Sequence, residues 1–273
     1  DDYSNDNTVE IIKKYTLKDK RIKLYTDELG NLGVVRNFAT LLENIAYENY
    51  IMFCDQDDVW LSFKIEITLS KMKEQENVSD KPVLIYSPLQ KVNNDLVKIK
   101  VKEYTLPKEI TINKVISQNF IYGCTMMLNK KLIELVNPIS DKAENHDYWI
   151  ALIAAYYGQI SSVDIPTILY RQHDNNVSGS YKDSLFKFRM KRLFNDKYTI
   201  LQDSRLIMIE ALIVHLKNMN INVSLFEEYI KYMKVGGIKS VVYTMKNKIY
   251  KYGTGLPSNI MHLITVFKYK RKS

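Results

Sequence analysis

Three carboxylates crowd into four residues, Asp55, Asp57 and Asp58, directly after the apolar run Ile51-Met52-Phe53-Cys54. Like charges held so close are costly unless a cation or several hydrogen bonds compensate. Carboxylate oxygens suit hard divalent cations such as Mg²⁺ or Mn²⁺, and those ions characteristically join protein carboxylates to phosphates. The pattern predicts a buried strand over Tyr50–Cys54 whose C-terminal end carries a metal–diphosphate platform. A solvated acidic turn has the same composition. A calcium loop is excluded. Asp55, Asp57 and Glu66 fall at its first, third and twelfth positions, but Val59 and Trp60 stand where a ligand and a glycine are required.

Three further stretches hold residues able to do chemistry. In NHDYWIALIAAYYG, Asp147 opens a helix whose following turns are apolar, where the helix dipole favours the ionised carboxylate. A helix cap reads the same way. Beside it, His146 reads as a surface or a site residue. Tyr148 and Trp149 read as core or as a stacking platform for a sugar face. In ILYRQHDNNVSG, Arg171 suits phosphate, and His173 suits a metal or, as the cation, phosphate. Asp174 and Ser178 complete what is otherwise a plain polar loop. In NLGVVRNFATLL, Gly30 and Gly33 flank a turn into a helix with Arg36 in its first turns. No GKS, GKT or GxGxxG is present, so this is not a P-loop.

The elements that must position these groups alternate along the chain. Helices are expected at Thr8–Tyr15, capped by Asn5, Asp6 or Asn7, and at Gly33–Tyr47, with Val34, Phe38, Leu41, Leu42 and Ile45 on one face. Further helices are expected at Ser62–Glu76 and at His146–Tyr157, the latter ended by Gly158. Strands are expected at Arg21–Thr26, Tyr50–Cys54, Pro82–Leu89, Phe120–Leu128 (interrupted at Gly123) and Ile160–Tyr170 (broken by Pro166). Such alternation predicts an α/β fold with a mainly parallel sheet flanked by helices. Ligands of such sheets bind beyond the C-terminal strand ends, where the acidic cluster falls. From Ser184 onward helix dominates, with breaks at Gly236-Gly237 and Gly253–Pro257.

A chain of 273 residues, 46% hydrophobic and 26% charged, is an ordinary globular one. No apolar run reaches the roughly 20 residues that span a bilayer. No secretory signal opens it. Cys54 and Cys124 lie in apolar segments without metal-ligand spacing, as expected of reduced thiols in the cytoplasm. The net charge of +8 is unevenly placed. Residues 1–180 carry 21 Lys and Arg against 25 Asp and Glu, residues 181–273 carry 18 against 6, and no acidic residue follows Glu228. A basic tail interleaved with Tyr, Phe, Ile and Met favours an anionic surface, membrane or nucleic acid.

In their order, DDYSNDNT, NLGVVRNF, FCDQDDVW, HDYW and YRQHDNNVSG resemble the family-2 glycosyltransferases of GT-A fold, especially the polysaccharide-building, rhamnosyltransferase-like bacterial branch. The resemblance covers residues 1–180 and sets them apart as the GT-A domain, with residues 181–273 a basic helical extension that associates with membrane. It implies an inverting transfer from a UDP- or dTDP-sugar, with Mn²⁺ or Mg²⁺ as cofactor. By resemblance, Asp55-Gln56-Asp57 is the DxD element. Asp57 would hold the metal, Asp55 would contact ribose or sugar, and Asp58 would lie beside them in the substrate site. Asp1 and Asp2 match an early acidic pair, one of which helps bind the nucleobase. Arg36 matches a basic residue facing the nucleotide. Asp147 takes the place of the catalytic carboxylate, and His146 stands where many relatives have Glu. His173 matches a histidine that closes over metal and phosphates. Relatives open with a strand and a helix before the DDxS element, and this sequence is expected to lack both.

The expected reaction is an in-line displacement with Asp147 as general base. The implied acceptor is a hydroxyl of a lipid-linked saccharide of a bacterial capsule or O-antigen, reached at the inner face of the plasma membrane. Nucleic acid is not an expected partner. Tyr86, Asn119 and Tyr122 are candidates for acceptor contacts. A sugar nucleotidyltransferase would also use paired Asp and metal, but needs a Gly-rich basic signature that is not visible. A non-catalytic basic module would explain the tail but not the polar groups at strand ends.

Overall fold

The computed structural model describes residues 1–26, 30–99, 107, 109–173, 197–253 and 255–269, with the backbone alone described over 197–202. Helix α1 (Thr8–Lys18) has Asn7 as its N-cap residue without a side-chain capping bond, and Asp6 just before it accepts from both the amide and the hydroxyl of Thr8. Helix α2 (Gly33–Ile45) buries Ala39 and Leu42, with Phe38 and Ile45 packed behind them. Val34 is exposed instead, and Val35 takes its place against the core. The Arg21–Thr26 segment forms no strand. Among the described residues its backbone pairs with no ladder, and Tyr25 O accepts from the Asp1 amino group.

Strand β1 (Tyr50–Met52) begins a four-stranded sheet with β3 (Val83–Tyr86), β5 (Met127–Asn129) and β6 (Gln159–Ser162), in the order β1-β5-β3-β6. Strands β1, β3 and β6 run the same way, but β5 is antiparallel to both its neighbours. The sheet is thus mixed, departing from the mainly parallel expectation at one strand. The reason is local. A 3₁₀ turn at Gly123–Thr125 leads straight into β5 and delivers it to the sheet from the opposite end. All four residues of β3 are buried, as befits a central strand covered on both faces. A second sheet, ordered β2-β7-β4, joins β2 (Val59–Trp60), β7 (Ile168–Arg171) and β4 (Gln90–Val92).

Helix α3 (Lys64–Val78) covers the first sheet, followed by the short α4 (Ile112–Val115) and by α5 (Lys130–Val136). Asn129 caps α5 by accepting from Leu132 N, and the same Oδ1 accepts from Val83 N, tying the helix start to β3. Helix α6 (His146–Tyr157) is apolar all round and lies inside the core, with Trp149 to Ala154 fully buried. Each such large side chain contributes about 1.5–3 kcal/mol on burial.

Among the described residues four helices follow: α7 (Lys197–Asn218), α8 (Ser224–Val235), α9 (Gly237–Lys246) and α10 (Gly255–Lys268). Leu206, Met208, Ile209 and Leu212 of α7 join Trp149 in one continuous core. Arg205 donates to Ser117 O, pairs with Glu144 and lies over the Tyr148 ring. Asn113, Ser117 and Gln118 donate to the carbonyls of Asn247, Tyr250 and Tyr252, which brace the turn between α9 and α10. The expected boundary near residue 180 falls within 174–196, outside the described residues, as do Asp174, Ser178 and the onset of helix at Ser184.

Candidate active site

The acidic cluster is the hinge between the two sheets. Strand β1 ends at Met52, Phe53 enters the core, and Asp55 to Asp58 carry the chain across to β2. Strand β7 then returns alongside, so that Arg171 N donates to Asp58 Oδ1 at 3.0 Å and Arg171 Nε donates to Asp57 O at 2.8 Å. The Arg171 guanidinium also donates to Asn94 O. It therefore braces the acidic turn through backbone carbonyls.

Each carboxylate has a different environment. Asp55 ionises near 6, chiefly because it is desolvated and then because Asp58 and Asp57 are close. Burial also raises Asp58, partly offset by the Arg171 amide. Its Oδ2 is buried near the Cys124 thiol, and Asp55, Asp58 and Cys124 place ligand atoms within 4.8 Å of one another. Burial drives the Cys124 thiol far above its ordinary range. A protonated soft thiol is a poor ligand for a hard cation. Asp57 is more open, and its Oδ2 lies 2.7 Å from His173 Nε2. An oxygen and an imidazole nitrogen at the rim of an acidic cluster fit a divalent cation of the Mn²⁺ class, and the neighbouring Asp58 adds local negative charge.

Asp147 stands apart from this turn and is partly buried. Its Oδ1 accepts from Asn119 Nδ2 at 2.9 Å and its Oδ2 from Gly123 N at 3.1 Å. Burial raises its pKa to about 6 despite these bonds, and the charge of Asp55 adds to the effect. A carboxyl poised this way is suited to take a proton near neutrality.

Other predicted residues sit elsewhere. Asp2 accepts from Leu32 N at 2.6 Å and Gly33 N at 2.9 Å, so its carboxylate caps α2 from thirty residues away. Gly33 has φ +75°, a conformation that favours glycine and aims its amide at Asp2. Asp1 accepts from the amide and hydroxyl of Ser4. Arg36 is exposed in the first turns of α2. His146 is buried against the rings of Phe38 and Phe53, with neither ring nitrogen hydrogen-bonded, and burial lowers its pKa to about 4. It is an uncharged core histidine next to Asp147. Trp149 is corrected: it is fully buried, its indole N–H donates to Val136 O, and no sugar can stack on it. Tyr86 is likewise core, while Tyr122 faces Tyr170.

Sequence reasoning missed Lys64. It is buried, donates to Cys124 O and Thr167 Oγ1, and lies over the Trp60 ring. Desolvation lowers its pKa, while Asp58 and the two cysteines act in the opposite sense. The signal was the spacing: Lys64, Thr68 and Met72 recur every four residues and form the buried stripe of α3.

Residues 1–136 match the family Glycosyl transferase family 2. The chain is similar to the UDP-Glc:alpha-D-GlcNAc-diphosphoundecaprenol beta-1,3-glucosyltransferase WfgD of Escherichia coli, 31% identical over 66% of each protein. It is also similar to the dTDP-rhamnosyl transferase RfbG of Shigella flexneri, 30% identical over 71% of this chain and 67% of that one. The crystal structure of S. aureus TarS aligns with 98% of this chain and 48% of its own, at 15% identity and a TM-score of 0.48. The chain thus spans about two thirds of the length of the curated relatives it matches.

Proposed function

The chain belongs to glycosyl transferase family 2, and on that premise we propose that it moves a sugar, with inversion, from a UDP- or dTDP-sugar to a hydroxyl of a bacterial polysaccharide precursor. The observation that carries the reading is the partly buried Asp147 carboxylate, clamped by Asn119 and Gly123 within electrostatic reach of the acidic turn at Asp55. In the reaction, Asp147 takes the proton of the acceptor hydroxyl. The hydroxyl oxygen bonds to the anomeric carbon as the bond from that carbon to the diphosphate breaks on the opposite face, releasing the nucleoside diphosphate.

Asp57 and His173 would hold a divalent cation, Mn²⁺ or Mg²⁺, which supplies Lewis acidity to the diphosphate when bound. Asp55 would face the ribose or sugar, and Asp58 shapes the turn through Arg171. Arg36 offers positive charge to the nucleotide. Hydrogen bonds to the Asp2 carboxylate fix the turn before α2, so that Asp1 and Asp2 set the wall of a nucleobase pocket. The acceptor in this reading is lipid-linked, and the protein works peripherally at the inner face of the plasma membrane.

Calorimetric titration of UDP and dTDP, each with and without Mn²⁺, tests the reading. Metal-dependent binding of one nucleotide is expected. Absence of binding by both would overturn the assignment of the acidic turn.

A further inference from the structure

The last two helices are amphipathic in reverse. Where α9 and α10 meet the rest of the protein, they bury Ser240, Thr244, Ser258 and His262 alongside Tyr243, Met261 and Val266. Outward, α9 presents Ile238, Val242 and Met245, each more than half exposed. The spacing i, i+4, i+7 sets them in one row. Helix α10 presents Leu256, Ile260, Ile264 and Phe267 at i, i+4, i+8, i+11, with Leu256 and Phe267 also more than half exposed. The two helices pack against each other. Water is a poor neighbour for two such rows, and exposed apolar patches of this kind mark interaction surfaces.

Charge identifies the neighbour. Lys239, Lys246, Lys248 and Lys268 are exposed on or beside these helices. No Asp or Glu follows Glu228 in the chain. A second copy of this face would set lysine against lysine, since neither α9 nor α10 carries an acidic residue of its own. A surface that is anionic outside and apolar beneath satisfies both features, because lysine stems can lie along it with their ammonium groups at the phosphates. No described helix is long and apolar enough to cross a membrane.

We propose that the outward rows of α9 and α10 dock this protein on an anionic phospholipid surface, the helices lying in the interface with their apolar side chains inserted and the lysines on lipid phosphates. The proposal deepens, and rests on, the peripheral-membrane part of the functional reading.

The test is flotation with phosphatidylcholine vesicles and with vesicles that also contain phosphatidylglycerol. The parent chain should float with the anionic vesicles only. The combined variant Ile238→Ser, Val242→Ser, Ile260→Ser, Ile264→Ser should lose at least about tenfold in partitioning, since binding scales with inserted apolar area. The variant Lys239→Gln, Lys246→Gln, Lys268→Gln should lose its preference for the anionic lipid. Unchanged cooperative thermal unfolding establishes that each variant is folded; should the combined variant unfold, Ile238→Ser and Ile260→Ser alone carry the comparison. Equal flotation with both vesicle types, or a folded serine variant that partitions like the parent, overturns the proposal. So does a concentration-dependent dimer in sedimentation velocity that the serine substitutions abolish, which would assign the face to self-association. Nucleotide calorimetry on the same proteins separates the two readings: lipid docking can fail while nucleotide binding persists, and the reverse.

Discussion

The side-chain amide of Asn119 donates to one oxygen of Asp147 while the backbone amide of Gly123 donates to the other, so a single loop fixes the carboxylate at both ends. Both bonds favour the ionised form and work against a larger desolvation effect that favours the neutral one. The balance leaves the group titrating near 6.

That balance predicts a pH profile. A general base works when deprotonated, so turnover should rise through an acid limb near pH 6 and level off above it. Asn119→Ala removes a bond to the charged form, and the limb should move to higher pH with nucleotide affinity unchanged. Measuring kcat against pH for both proteins checks this. An unshifted limb would mean that Asn119 does not tune Asp147.

Replacing the base should separate activity from stability. Asp147→Asn is expected to lower kcat by about 10²–10⁴-fold while leaving nucleotide binding intact. Its folded pKa of about 6 lies above the ordinary 3.8, so charging Asp147 costs folding energy as pH rises through that window. Near pH 7 the Asn variant should therefore be more stable than the parent, by about 1–3 kcal/mol. The gain should vanish below about pH 4, where the carboxyl is protonated in both states. Urea unfolding at the two pH values gives the comparison.

Asp57→Ala and His173→Ala should each weaken metal-dependent nucleotide binding by about tenfold or more, while Asp147→Asn does not. The readout is calorimetry at matched Mn²⁺ concentrations. Retained binding in both variants would move the metal away from the Asp57–His173 pair.

Gly123→Ala probes the wall behind the base. A Cβ there would lie 2.5 Å from His146 Nε2, and His146 is held between Phe38 and Phe53. Overpacking of this sort costs about 1–3 kcal/mol. His146→Ala in the same chain should recover part of the loss. Denaturation of the single and double variants measures the coupling.

Much of this arrangement was legible in the residues. The apolar periods of α1, α2 and α6 are local signals, and the strand before Asp55 is marked by an abrupt change from apolar to acidic. What escaped was set by contacts distant in sequence. The apolar run before Asn129 does not reveal the direction in which β5 enters the sheet, because a strand buried on both faces looks alike either way. The carboxylate of Asp2 reads as a ligand group until Leu32 and Gly33 are seen to donate to it. Trp149 and Asp147 lie two residues apart on α6, on faces that differ in what they meet, and the all-round apolar helix hides which is which.

The brace between residues 113–118 and the turn joining α9 to α10 has a geometric consequence. Asn119, the next residue in line, holds the Asp147 carboxylate, so the outward apolar rows of α9 and α10 and that carboxylate share one hydrogen-bonded strut. On a bilayer, that strut would set the standoff between the headgroups and the point of sugar transfer. Under the proposed docking on a lipid-linked acceptor, the protein would act as a ruler, serving hydroxyls that project one fixed height and passing over those that stand shorter or taller.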